Sequence, residues 1–159
     1  MFKHKGKTVN IIGKNRVKIY EDLFKGLTQD QKERNLPIHA NYLGDNELAK
    51  NIYKKKYFIK NLDNELIENS PEDVFKRLSA FIATVEGTKI KQKKWAKKFY
   101  EELYEGHFIP GGRVLAGAGD LYRLKTLANC FVTQIERDEI DSIYKAAYEC
   151  ARTYSYGGG

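Results

Sequence analysis

Ile109-Pro110-Gly111-Gly112-Arg113-Val114-Leu115-Ala116-Gly117-Ala118-Gly119 is the passage on which the reading of the fold depends. Before it the chain is rich in lysine and patterned for helices; after it come a short apolar run and one more helical pattern. Glycines at this density end a helix and open a turn, because glycine alone enters left-handed backbone conformations freely.

Upstream, Ser70-Pro71-Glu72-Asp73 is a strong helix start. Ser accepts orphan amide protons, Pro is tolerated in the first position, and the acids face the positive end of the dipole. Val74, Leu78, Phe81, Ile82 and Val85 then recur at helical spacing, which predicts one buried face ending at Gly87. A second helix is predicted from about Lys89 to Glu105, with Ile90, Trp95, Phe99 and Leu103 on one side and Gly106 in the left-handed C-terminal position. Asp45 is expected to cap a shorter helix through about Lys56, Tyr57-Phe58 to pack on the body, and Asp63-Asn64 to turn. Residues 1–40 read as an extension: short strands at Thr8–Ile12 and Arg16–Tyr20 around Gly13-Lys14-Asn15, then a polar connector ending near Pro37.

Downstream, Cys130-Phe131-Val132-Thr133-Gln134-Ile135 reads as a short strand. Asp138 or Asp141 is expected to cap a helix striped by Ile140, Tyr144, Ala147, Tyr148 and Ala151, before Tyr156-Gly157-Gly158-Gly159. Helices followed by loop, strand and helix predict an α/β class, a mainly helical N-terminal region leading into a barrel or sheet. The implied divisions are 1–40, 41–106 and 107–159. Three glycines after a helix fit a domain that continues, so a truncated, split or interrupted protein is the expectation, with a flexible tail as the alternative.

The length of 159 residues suits one domain with a real core. Composition is 42% hydrophobic and 31% charged, and no apolar run reaches the length of a transmembrane helix, which predicts a soluble, cytoplasmic protein without membrane association. Two cysteines outside any CxxC pair, and three scattered histidines, argue against a disulfide scaffold or a structural metal. Residues 1–100 carry a net +10 and residues 101–159 a net −3. The basic half suggests a nucleic-acid-binding module as a rival reading, but its lysines fall between apolar positions, as solvated helix faces do, so nucleic acid is not the expected partner.

Cys130 stands at the start of the apolar run, beyond the glycine-rich passage. An isolated cysteine is most often a small buried hydrophobe; the alternative is a redox thiol, which needs access and a thiolate. Cys150, next to the stripe residue Ala151, reads as core. Arg113 among unobstructed backbone amides suggests a phosphate partner, although neither a P-loop nor a dinucleotide fingerprint is present.

Taken in order, Phe108-Ile109-Pro110-Gly111-Gly112-Arg113-Val114-Leu115, Ala116-Gly117-Ala118-Gly119, Leu127-Ala128-Asn129-Cys130-Phe131-Val132, Asp141-Ser142-Ile143 and Tyr156-Gly157-Gly158-Gly159 resemble the opening of ribonucleotide reductase large subunits. They are most similar to the adenosylcobalamin-dependent class, with the iron-dependent class as the alternative. Leu43–Tyr57 and Ser70–Arg77 resemble the helical region before that family's catalytic barrel. The resemblance implies an incomplete α/β barrel at residues 107–159.

It also implies thiyl-radical reduction of ribonucleotides to deoxyribonucleotides for DNA synthesis. Cys130 matches the first thiol of the reducing pair, whose partner and radical cysteine lie beyond Gly159 in the family. Gly112, Asn129, Gly158 and Gly159 match positions near the substrate, with Arg113 a substitute phosphate contact where relatives place Ser or Thr. Asp138 falls near the carboxylate that binds a deoxynucleotide or ATP effector. The helix from about Asp141 resembles the one lining a homodimer contact. Implied partners are the remainder of the catalytic subunit, a ribonucleotide substrate and a thioredoxin-like reductant; adenosylcobalamin would be bound by that remainder. Residues 1–40 do not resemble the family's ATP-binding cone. A non-catalytic interaction domain on the same scaffold is a further alternative.

Overall fold

The computed structural model describes residues 13–33 and 42–159. Among them the architecture is mainly helical: α1 (Gly13–Glu33), α2 (Glu47–Ile52), α3 (Pro71–Ala83), α4 (Lys89–Tyr104), α5 (Gly112–Gly117) and α6 (Ile140–Ser155). No β-strand forms among the described residues; one isolated antiparallel bridge pairs Lys60 with Leu66.

α3 is the centre of the body, packed against α1, α4 and α5. Ser70 caps it as expected, its side chain accepting from the Asp73 amide, with Pro71 in the first turn. Val74, Phe75 and Leu78 are buried along its length with Ala80 and Ala83. They meet Ala96, Tyr100 and Leu103 of α4, Leu23 and Leu27 of α1, and Leu115 and Ala118 at α5. Thr88 caps α4, and Gly106 follows that helix with φ +74°.

Several expectations are corrected. Arg16–Tyr20 is helical, not a strand: Ile19, Leu23 and Leu27 recur every fourth residue and turn one face of α1 to the core, a period that an alternating strand cannot supply. Gly13-Lys14-Asn15 is therefore the first turn of that helix. Thr8–Ile12 and Pro37 lie outside the described residues. Asn46 rather than Asp45 caps α2, its Oδ1 accepting from the Ala49 amide at 2.9 Å. The chain then widens into a π turn at Tyr53–Tyr57, closed by Phe58 N–H donating to Tyr53 O at 2.9 Å.

α3 ends at Ala83, four residues before Gly87, and Val85 is 64% exposed; Ile82 is exposed as well. Ile90 is 82% exposed, because α4 turns Gln92, Ala96, Tyr100 and Leu103 inward instead. Trp95 and Phe99 flank that line as a stacked pair 5.4 Å apart. In α6 the cap position is Glu139, not Asp138 or Asp141. Its expected stripe of Ile140, Tyr144, Ala147, Tyr148 and Ala151 faces outward; Ala146 is its buried residue.

Cys130–Ile135 forms no strand, and Val132 is 100% exposed. A strand needs a neighbour along its length. Here one residue, Gly159, hydrogen-bonds to the segment 129–131.

Candidate functional site at the glycine-rich turn

The turn is held from below by Arg77. This side chain is 2% exposed, and its Nε donates to Glu68 Oε1 at 2.6 Å, while Nη2 donates to Glu68 Oε2 at 3.3 Å, Leu115 O at 2.9 Å and Tyr57 O at 3.2 Å. Nη1 donates to Ala118 O. Glu68 Oε2 also accepts from the Ile59 amide at 2.8 Å. One guanidinium thus satisfies carbonyls at the C-terminal end of α5 and joins them to the π turn and to the loop before α3. Gly119 makes this approach possible: at φ +79°, a Cβ there would sit 2.7 Å from Arg77 Cγ. Burial pushes the hydroxyl of Tyr20, from α1, well above its ordinary pKa, with Arg77 acting against that rise and Glu68 adding to it.

Beyond α5, Asp120 Oδ1 accepts from the amides of Tyr122 and Arg123 at 2.9 and 3.1 Å. Arg123 reaches back to Lys60 O at 2.6 Å and Asn61 O at 2.9 Å. Lys125 Nζ lies 2.8 Å from Asp120 Oδ2 and donates to Ala116 O at 2.9 Å. These bonds fix the path of the chain from the turn toward Cys130.

At the other end of α5, Gly111, Gly112 and Arg113 are exposed. The Tyr57 hydroxyl lies 3.6 Å from where a Cβ of Gly112 would stand. Arg113 extends over Gly157, where φ is +85° and a Cβ would be 2.7 Å from Arg113 Nη1. Asn129 Nδ2 approaches the Cβ position of Gly111 at 3.7 Å. Gly159 N–H donates to Asn129 O at 3.0 Å, and Phe131 N–H donates to Gly159 O at 2.8 Å, the alternation of a parallel pair around Cys130. Gly158 is buried, its Cβ position 2.6 Å from Phe131 Cε2 and 2.7 Å from Thr153 Cγ2.

Gly112, Arg113, Asn129, Cys130, Gly158 and Gly159 therefore converge. Asp138 lies in the exposed bend before α6, and no hydrogen bond or ion pair joins it to them. Cys130 is a free, exposed thiol; Cys150 is free and half-buried on α6. Among the described residues no group of three or more His, Cys, Asp or Glu is placed to hold a metal. Beside the cluster, Leu124, Lys125, Thr126, Phe131, Arg152, Thr153 and Tyr156 line an open groove of about 410 Å³. Arg152 lies over the Tyr156 ring at 5.2 Å and donates to its hydroxyl at 3.0 Å.

Arg77 and Glu68 have no place among the sequence candidates, yet they anchor the turn. The signal was there: Arg77 falls three residues after Val74 and four before Phe81, a charge set into an apolar stripe.

No curated protein matches the chain closely enough to count as a relative. The family model described as "Ribonucleotide reductase, all-alpha domain" matches residues 43–123, about half of the chain, from before α2 through α5 to Arg123. That span holds the α3–α4 body, the Arg77–Glu68 anchor and the glycine-rich turn, and it shows that the chain belongs to the ribonucleotide reductase family.

Proposed function

We propose that this chain supplies the N-terminal part of a ribonucleotide reductase catalytic subunit, with Cys130 as one of the two thiols that reduce the substrate. The observation that carries this reading is the convergence of the exposed Cys130 and Gly157–Gly159 with Gly111–Arg113, a turn inside the span matched by the family's all-alpha domain.

The chemistry requires two electrons and two protons. The ribose 2′ hydroxyl leaves as water, and Cys130 and a second thiol, each giving up one hydrogen, close to a disulfide that a thioredoxin-like protein reduces again. Cys150, on α6 and half-buried, is not assigned as that second thiol. Gly112, Gly158 and Gly159 leave room for the nucleotide, Arg113 neutralises phosphate and Asn129 offers an amide; Asp138 binds the sugar of a regulatory deoxynucleotide from its exposed bend. The radical chemistry belongs to the rest of the barrel, which the segment around Cys130 and α6 begin. Adenosylcobalamin is the radical source that the resemblance implies. That group would be bound by the remainder of the subunit, so no step here passes through it. The exposed apolar stripe of α6 suits a homodimer contact.

No helix among the described residues is long and apolar enough to cross a membrane; a cytoplasmic location is part of the proposal. The test is complementation: the chain joined to the remainder of the subunit forms deoxynucleotides, and Cys130→Ser abolishes turnover with thioredoxin-like reductant while ribonucleotide binding persists. Deoxynucleotide formation by residues 1–159 alone, or full activity of Cys130→Ser, overturns the reading.

A further inference from the structure

Tyr57 brings a polar group of the helical body to the glycine-rich turn. Its half-buried ring packs on the core and stands edge-on to Tyr53, with centroids 5.2 Å apart. Its carbonyl accepts from Arg77 Nη2 at 3.2 Å, and the same nitrogen donates to Leu115 O of α5 at 2.9 Å. Ring and backbone are thus both fixed, and the hydroxyl is carried to 3.6 Å from the Cβ position of Gly112. Tyr57 closes the π turn Tyr53–Tyr57, a rare departure from α geometry that recurs at functional sites.

Three hydrogen-bond donors meet at this one exposed turn. Tyr57 O–H stands at Gly112, Asn129 Nδ2 lies 3.7 Å from the Cβ position of Gly111, and Arg113 follows directly, its Nη1 2.7 Å from the Cβ position of Gly157. None of these three side-chain groups makes a hydrogen bond or an ion pair among the described residues. A phenol, an amide and a guanidinium beside glycines suit an anion rich in acceptor oxygens; a neutral ligand would leave the guanidinium without a counter-charge.

We propose that the Tyr57 hydroxyl donates a hydrogen bond to a phosphate oxygen of the nucleotide, next to Arg113, so that the helical domain itself supplies a substrate-binding side chain. The inference rests on the reading of this turn as the phosphate end of the substrate site. The guanidinium adds charge and the phenol adds direction. A hydrogen bond to an ionised oxygen needs a set distance and angle, and Arg77 secures both by holding Tyr57 and α5 in one frame.

The experiment is titration of the 159-residue chain with inorganic pyrophosphate at constant ionic strength, followed by the amide NMR signals of Gly111 and Gly112. Those signals shift saturably in the parent chain. Tyr57→Phe, which keeps the ring against Tyr53, binds roughly five- to tenfold more weakly, and its melting temperature stays within about 2 °C of the parent. Arg113→Gln weakens binding at least as much. Lys97→Gln, on the exposed side of α4, removes the same charge and leaves affinity within about twofold. Unchanged affinity in Tyr57→Phe, with Arg113→Gln impaired, overturns the proposal while the phosphate reading of the turn stands. A lowered melting temperature with unchanged affinity, the mark of packing alone, does the same. Signals of Gly111 and Gly112 that do not move in the parent, or an equal loss in Lys97→Gln, overturn both.

Discussion

Arg77 and Glu68 form an ion pair at 2.6 Å whose two side chains are 2% and 6% exposed, nine residues apart in sequence and on opposite sides of the Ser70 cap. Such a pair is costly to break from one side only, because the remaining charge stays buried without compensation. Arg77→Met is expected to destabilise the chain by about 3–5 kcal/mol, read from urea unfolding midpoints. The double variant with Glu68→Gln should recover part of that loss. Strictly additive effects would show that the pair is not coupled.

Gly119 and Gly87 make a controlled comparison. At Gly119 the backbone is left-handed and Arg77 Cγ stands 2.7 Å from the Cβ position, whereas nothing lies within 4 Å of that position at Gly87. Gly119→Ala should cost roughly 1–3 kcal/mol, and Gly87→Ala should stay within about 0.5 kcal/mol of the parent. Equal costs would mean that the close approach carries no weight.

Alkaline pH should weaken the fold. Burial raises the hydroxyls of Tyr20, Tyr42, Tyr53, Tyr100 and Tyr104 above the ordinary value of 10.0. The unfolded chain then releases these protons at lower pH than the folded one, so above that value it binds fewer protons and stability falls with rising pH. The stabilisation is complete below about pH 10 and is lost as pH climbs through the raised values. Unfolding free energy measured from about pH 8 to 11 should decline steeply at the alkaline end, and Tyr100→Phe should flatten the decline. A flat profile would contradict the burial of these hydroxyls.

The two cysteines should differ in reactivity. Cys130 is exposed and Cys150 half-buried, so an aromatic disulfide reagent should label Cys130 in the native chain about tenfold faster, with the difference vanishing in urea. Labelling followed by peptide mapping assigns the sites. Faster reaction at Cys150 would place Cys130 in a shielded environment.

The helical body was legible where the signal was local. The Ser70 cap, the Pro71 start and Gly106 each act through adjacent backbone, and each stands where the sequence puts it. Legibility failed where distant parts of the chain decide. Val85 and Ile90 have the right hydropathy for a core, but they lie at the junction of α3 and α4, beyond the faces those helices turn to each other. At Arg16–Tyr20 five residues do not separate a period of two from one of 3.6; Leu23 and Leu27, further on, do. At the site, the ordered motifs pointed to residues that do come together, Gly112, Arg113, Asn129, Cys130, Gly158 and Gly159. The Arg77 anchor rests on contacts between residues tens of positions apart, and its place in an apolar stripe hints at a buried charge without naming its partners.

The two hydrogen bonds between Gly159 and the segment 129–131 also set a direction. In a parallel pair, residues level with each other present their side chains on the same side, and the next residue along points the other way. Phe131 accordingly fills the space over Gly158, while the thiol of Cys130 emerges beside Gly159, a neighbour with no side chain. Cys130 is exposed, and a residue that carries no side chain beside it adds no bulk to that side of the pair.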